Sequence, residues 1–320
     1  MTPARTIVVL GGDLAPAGRA AAEARAVAVI ATEPYPTPEV VVATLGEHRP
    51  AAIVVRLVAD QLGEPVMRAG GALGLIVKHG VGTDDIDIEA ARRLGIPVAI
   101  TAGVNATSVA EHAFAGILAF AKDLVGQDRL VRSGVWDKAR YHGREVSGQT
   151  LGVVGFGAIG RKLAGYAQAF GMRVLAHDPL ASAPMHGVDM ADLDTLLAAS
   201  DYVSLHCPLT PATLNLIDRR RIGLMRSHAV LINTARGGVV DEAALIDALR
   251  AGRLAGAVAD CFAAEPPAAD NPLLEMPNTL VSPHIAGVTI DAKAAVSVCA
   301  ATLAADWLDG RKPDPYYLVR

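Results

Sequence analysis

Short β-branched runs recur along the chain at Thr6–Leu10, Ala52–Arg56, Leu73–Lys78 and Pro97–Ile100, separated by Ala-rich stretches of helical length that end in Gly. Strands alternating with helices in this way predict βαβ units and a parallel sheet. A longer Ala-rich segment follows, from Thr107 to Arg132, with Ser108 and Glu111 at the spacing of a capping box; it predicts one long helix. A polar stretch, Ser133 to Gln149, leads into a second series of predicted strands: Leu151–Gly155, Arg173–Asp178, Tyr202–His206, Ala229–Ile232 and Ala255–Asp260. The last apolar segment, Ile290 to Leu308, has helical spacing and follows the last strand, so it is expected to return to the first domain and make that domain discontinuous. The pattern therefore predicts two α/β domains, 1–103 with 288–320 and 104–287.

A length of 320 residues fits two domains, each able to bury its own core. The 29 basic and 33 acidic residues leave a net charge of -4 with no dense run of one sign, which argues against a nucleic-acid partner. Cys207, Cys261 and Cys299 are far apart and fit no CxxC spacing, as expected of a reducing cytoplasm. The first ten residues are too short an apolar segment for a signal peptide or a membrane span, and no membrane association is expected. The histidines other than His284 show no metal spacing, and no metal is expected.

Gly155, Gly157 and Gly160, with Ala158 and Ile159 between the last two, form a GxGxxG directly after a predicted strand and at the start of a predicted helix. Such a turn lets backbone approach a pyrophosphate, and the helix N-terminus offers its unpaired N–H groups to the phosphates. Asp178 ends the next predicted strand, 18 positions after Gly160, where a carboxylate can accept hydrogen bonds from the adenosine ribose and repel a 2′-phosphate. No Lys or Arg occurs from Val174 to Asp218 to hold that phosphate, so NAD is expected over NADP.

Polar residues gather where later strands or turns end, the edge at which open α/β sheets bind ligands. The segments are His206-Cys207-Pro208-Leu209-Thr210, Ile232-Asn233-Thr234-Ala235-Arg236-Gly237-Gly238, Asp260-Cys261-Phe262-Ala263-Ala264-Glu265-Pro266-Pro267 and Ser282-Pro283-His284-Ile285-Ala286-Gly287. With the glycine motif, and with Gly80-Val81-Gly82-Thr83-Asp84-Asp85-Ile86-Asp87 and Asn105-Ala106-Thr107-Ser108-Val109-Ala110-Glu111 upstream, the chain resembles the D-isomer-specific 2-hydroxyacid dehydrogenases from Leu73 to Gly287.

That resemblance implies a Rossmann NAD-binding domain inserted in a flavodoxin-like substrate domain, a small 2-hydroxy or 2-keto acid substrate of the phosphoglycerate, hydroxypyruvate or glyoxylate type, and a homodimer. Reducing a 2-keto acid needs a hydride, a proton for the carbonyl oxygen and a cation for the carboxylate. The resemblance gives the cation to Arg236, whose guanidinium binds a carboxylate through two parallel bonds, and the proton to His284, with Glu265 orienting the ring. It places His206, Cys207, Pro208 and Thr234 along the cofactor, Asp260 and Ala235 at its amide, and Gly80, Val81, Gly82 and Asn105 at the substrate. Arg56 and Lys78 end two strands of the first domain and are candidate cations for a further anion on the substrate. A similar fold serves regulatory NAD-binding corepressors, but Arg236, Glu265 and His284 form a complete catalytic set. Formate dehydrogenases usually have Gln where this chain has Glu265. From the end at Arg320, the C-terminal regulatory domain of longer phosphoglycerate dehydrogenases is not expected.

Overall fold

The computed structural model describes residues 5–181 and 185–319, and the chain divides into two compact units, 1–105 with 288–320 and 106–287. The first unit holds β1 (Thr6–Leu10), β2 (Ala28–Ala31), β3 (Ala52–Val55), β4 (Leu75–Lys78) and β5 (Val98–Ile100) in the order β2-β1-β3-β4-β5. All four pairings are parallel. This is the flavodoxin-like order, whose direction reverses between β1 and β3. Strands of such a sheet are covered on both faces and therefore read as unbroken apolar runs. Ile7 and Val9 face one side with Val54 and Val77, while Val8 and Leu10 face the other with Ile53 and Ile76.

The second unit holds β6 (Thr150–Val154), β7 (Arg173–His177), β8 (Val188–Met190), β9 (Tyr202–Leu205), β10 (Val230–Asn233), β11 (Gly256–Ala259) and β12 (Thr279–Val281). They run β8-β7-β6-β9-β10-β11-β12, all parallel, which is the Rossmann order with a seventh strand added. Both sheets are thus doubly wound. The second sheet reverses direction between β6 and β9, next to the glycine motif.

The Ile290–Leu308 helix packs on β3, β4 and the Pro16–Glu23 helix, so the C-terminal segment belongs to the first unit. Thr289 caps it by accepting from the Ala292 N–H at 3.1 Å. The expected single helix at Thr107–Arg132 is two, Ala106–Ala121 and Leu124–Arg132, because Asp123 takes a left-handed conformation with φ 49°. Ser108 does not cap the first of them: the helix starts at Ala106, and Ser108 is buried inside its first turn. Among the described residues no helix is long and apolar enough to cross a membrane.

Candidate active site

The glycine turn sits at the reversal point of the second sheet. Gly155 has φ +93°, and a Cβ there would lie 2.6 Å from the Cys207 nitrogen; one on Gly160 would lie 2.3 Å from the Gly155 oxygen. Those two glycines are required by the protein's own backbone. Gly157 is different, since a Cβ there meets nothing within 4 Å. It precedes the Ala158–Ala169 helix, whose N-terminus has no side-chain cap, so the missing side chain opens space in front of unpaired N–H groups. Asp178, after β7, accepts from the Phe156 N–H and the Leu180 N–H, each at 2.8 Å. These bonds fix its carboxylate beside the turn and leave lone pairs for a ribose. A basic residue does lie near the turn, upstream of the Val174–Asp218 span: Arg161 follows the last glycine of the motif and stacks 4.5 Å over the Phe156 ring.

Among the described residues, two buried polar atoms at the same sheet edge have no hydrogen-bond partner: His206 Nδ1 and Thr234 Oγ1. Buried polar groups are nearly always paired, so both atoms fit a polar ligand along this edge. The His206 ring meets Ser204 Oγ through Nε2 at 2.9 Å, and burial pushes its pKa down to about 3, which keeps it neutral. Burial likewise raises the neighbouring Cys207 thiol to about 11, so that residue lines the site without acting as a thiolate. Pro208 continues the same loop. The turn, Asp178 and the two unpaired atoms together suit a dinucleotide.

Arg236, Glu265 and His284 come together after β10, β11 and β12. His284 Nδ1 lies 2.7 Å from Glu265 Oε2, and the other Glu265 oxygen accepts from the Phe262 N–H at 3.1 Å. Burial alone would raise the Glu265 carboxyl, but its bonds to His284 and Phe262 and the nearby charges of His284 and Arg236 outweigh that and hold it below its ordinary value. With Nδ1 turned to a carboxylate, Nε2 is the nitrogen left to exchange a proton. The loop before Arg236 is tied down by Asn233, which donates to the Arg236 oxygen and accepts from the Ala235 N–H.

Asp260, which the resemblance places at the cofactor amide, is tied to the loop that follows β12. Its side chain is fully buried and accepts from Ser282 Oγ at 2.5 Å, Ile285 N–H at 2.9 Å and Ala286 N–H at 2.8 Å. Those residues flank His284, whose backbone is left-handed with φ 54°. Asp260 therefore holds the His284 loop in a conformation it would otherwise avoid. No sequence signal announces this role, because the loop's N–H groups meet Asp260 only in the fold.

In the first unit, Gly80 has φ +144° and its oxygen accepts from the Thr101 N–H and hydroxyl. Among the described residues the Val81 and Gly82 N–H groups donate to no backbone carbonyl. Asn105 ends this unit, directly before the Ala106–Ala121 helix. Arg56 donates from Nη1 to the Asp13 carbonyl, while its buried Nε has no partner among the described residues. Lys78, read as a second substrate cation, is nearly buried and spent on the protein itself: its Nζ pairs with Asp85 and donates to the Arg56 carbonyl at 3.1 Å. His79, to which sequence assigned no role, meets Ser297 Oγ at 2.8 Å and joins the end of β4 to the C-terminal helix.

The second unit is thus a Rossmann-type dinucleotide-binding domain with a histidine–carboxylate pair and an arginine at its ligand edge. Residues 114–286 match the family described as "D-isomer specific 2-hydroxyacid dehydrogenase, NAD binding domain", and the chain belongs to that family of oxidoreductases. It is 43% identical over 245 residues to the D-3-phosphoglycerate dehydrogenase of Archaeoglobus fulgidus, an alignment covering 76% of this chain and 46% of that protein. It is 39% identical over 248 residues to the hydroxypyruvate reductase of Thermotoga maritima, covering 77% and 81% respectively. The chain spans about half the length of the phosphoglycerate dehydrogenases it matches. Among solved structures, the TT0316 protein of Thermus thermophilus aligns with a TM-score of 0.87 at 34% identity, covering 98% of this chain and 100% of that one.

Proposed function

We propose that the protein is an NAD-dependent dehydrogenase that interconverts a small polar 2-hydroxy acid and its 2-keto acid. The observation that carries this reading is the 2.7 Å contact of His284 Nδ1 with Glu265 Oε2, with the positive charge of Arg236 near that carboxylate. The bound cofactor supplies or accepts the hydride at C2. In reduction, Arg236 holds the substrate carboxylate and polarises its carbonyl, while His284 delivers a proton from Nε2 to the carbonyl oxygen; in oxidation it takes that proton back. Glu265 keeps the ring turned and remains ionised, and Asp260 keeps the loop in place.

The N–H groups of Val81 and Gly82 suit a carboxylate, as does the amide of Asn105. Arg56, with an unused buried N–H, suits a second anionic or polar group on the substrate, which favours phosphohydroxypyruvate or hydroxypyruvate over a branched apolar acid. We also propose that the enzyme is cytoplasmic and acts as a homodimer. The Leu124–Arg132 helix buries none of its residues, and Leu124, Val125, Val131, Val135 and Trp136 are exposed on and after it, a surface that a second copy would cover.

Changing His284 to Gln should lower kcat by roughly 10²–10⁴. NADH binding, read by fluorescence, should change little. Full turnover in that variant would remove His284 from the chemistry.

A further inference from the structure

Cys261 lies one residue beyond Asp260, on the loop that brings Glu265 to His284. Its Sγ, a Glu265 carboxylate oxygen and a His284 ring nitrogen all lie within 4.8 Å of one another. No CxxC or HxxxH spacing announces this group, because three residues separate Cys261 from Glu265 and the histidine arrives from the end of another strand.

A thiol, an imidazole and a carboxylate on one point form the donor set of a zinc-type ion. Hard ions such as Mg²⁺ or Ca²⁺ select all-oxygen sites, whereas borderline-soft ions take sulfur and nitrogen. Three protein donors with an open fourth position is also the arrangement in which Zn²⁺ keeps a water. Two of the donors are already oriented. Glu265 is fixed by the Phe262 N–H, and the His284 loop by the buried Asp260. The Cys261 S–H makes a long contact of 3.4 Å to the Ala235 carbonyl, which is a weak bond to give up. Cys261 is buried, whereas the Glu265 and His284 side chains are 38% and 41% exposed, so an ion meets those two donors first and the sulfur behind them.

We propose that Cys261, Glu265 and His284 form a site for a zinc-type divalent cation, and that filling it arrests the enzyme. On binding, the Cys261 S–H bond breaks, its proton leaves to the buffer and a sulfur–metal bond forms; the His284–Glu265 hydrogen bond breaks, the proton of the metal-facing ring nitrogen moves to the other ring nitrogen or to the buffer, and that nitrogen and the carboxylate donate lone pairs without any change of oxidation state. His284 is then bound to the metal and no longer oriented and charged by Glu265, so the proton relay is lost. The inhibitory half of this inference rests on the function proposed above; the binding half does not.

The test uses untagged full-length protein, stripped with a chelator and titrated with Co²⁺, whose spectrum reports its ligands. One equivalent should bind with a thiolate-to-cobalt charge-transfer band, and Zn²⁺ should displace it. The band should vanish in Cys261→Val. In turnover assays Zn²⁺ should inhibit reversibly, and Cys261→Val should keep wild-type basal activity while needing at least about tenfold more Zn²⁺ for the same inhibition. Cys261→Ser, which preserves the side-chain size, should behave in the same direction if the valine variant folds poorly. Absence of the sulfur band in wild type, or equal zinc sensitivity in the wild type and both variants, would overturn the site. Because the cobalt spectrum is read without substrate, it decides the metal site even if no keto acid is turned over.

Discussion

At the carboxyl edge of the second sheet, Glu265, His284 and Asp260 are locked to one another by hydrogen bonds. At the same edge of the first sheet, Lys78 is neutralised by Asp85 while Arg56 keeps an N–H without an acceptor among the described residues. A group that must pass a proton has to be held in one orientation, so its partners are built into the protein. A group that meets the charge of a ligand is left underpaired, because a protein partner would compete with the ligand. Lys78 and Arg56 sit on neighbouring strand ends and are both basic, yet Lys78 is paired with a carboxylate while Arg56 has a buried Nε without a partner among the described residues. The difference lies in Asp85, seven residues beyond Lys78.

The comparison is broken most sharply at those two residues. Replacing Lys78 by Ala leaves the Asp85 carboxylate without its partner and should cost on the order of 3 kcal/mol of stability in urea unfolding, with the ranking of substrates unchanged. An altered ranking would make Lys78 a ligand group after all. Arg56→Ala should do the reverse, leaving stability nearly intact while lowering kcat/KM for phosphohydroxypyruvate by about 2 kcal/mol, roughly thirtyfold, and for 2-ketoisocaproate hardly at all. Equal losses for both acids would deny Arg56 a distal anion.

On the cofactor side, Asp178 and the absence of downstream basic residues predict that NADH is preferred to NADPH by at least about tenfold in kcat/KM, or 1.4 kcal/mol. Asp178→Ala should narrow that preference. Equal use of both cofactors by the wild type would show that Arg161 or another cation accepts the 2′-phosphate.

The smallest effect concerns pH. His79 in the first unit has its pKa lowered to about 4, mainly by burial and then by the charge of Arg56, and His206 in the second is lowered to about 3 by burial. Between about pH 6.5 and these values the unfolded chain takes up protons that the folded chain refuses, so stability falls as the pH drops through that window. For His79, whose ring is part-exposed, the loss should be on the order of 1 kcal/mol by pH 4. His79→Gln should flatten that slope in thermal melts recorded from pH 7 to pH 4; an unchanged slope would place the acid sensitivity elsewhere.

What the sequence made legible follows from burial. The central strands β1, β3, β6 and β9 are buried along nearly their whole length and are mostly apolar, with Ser204 the polar interruption in β9, so their positions could be read directly. The edge strands β2, β8 and β12 contain no fully buried residue, and without that pattern they were not predicted. The break at Asp123 was hidden because a single left-handed residue leaves no mark on helical periodicity. Glycine spacing made the cofactor turn readable, and the motif order pointed to Arg236, Glu265 and His284. The partners of a side chain were not readable: Asp85 for Lys78, the His284 loop for Asp260 and Ser297 for His79 are all set by tertiary folding.

The most direct test of the proposed activity is the initial rate of NADH oxidation by the wild-type protein with hydroxypyruvate, phosphohydroxypyruvate and 2-ketoisocaproate, each at matched concentration. Turnover is expected with the two polar acids, with kcat/KM for the better of them above that for the branched acid. Failure to oxidise NADH with any keto acid would contradict the proposed activity, and a preference for 2-ketoisocaproate would contradict the role given to Arg56.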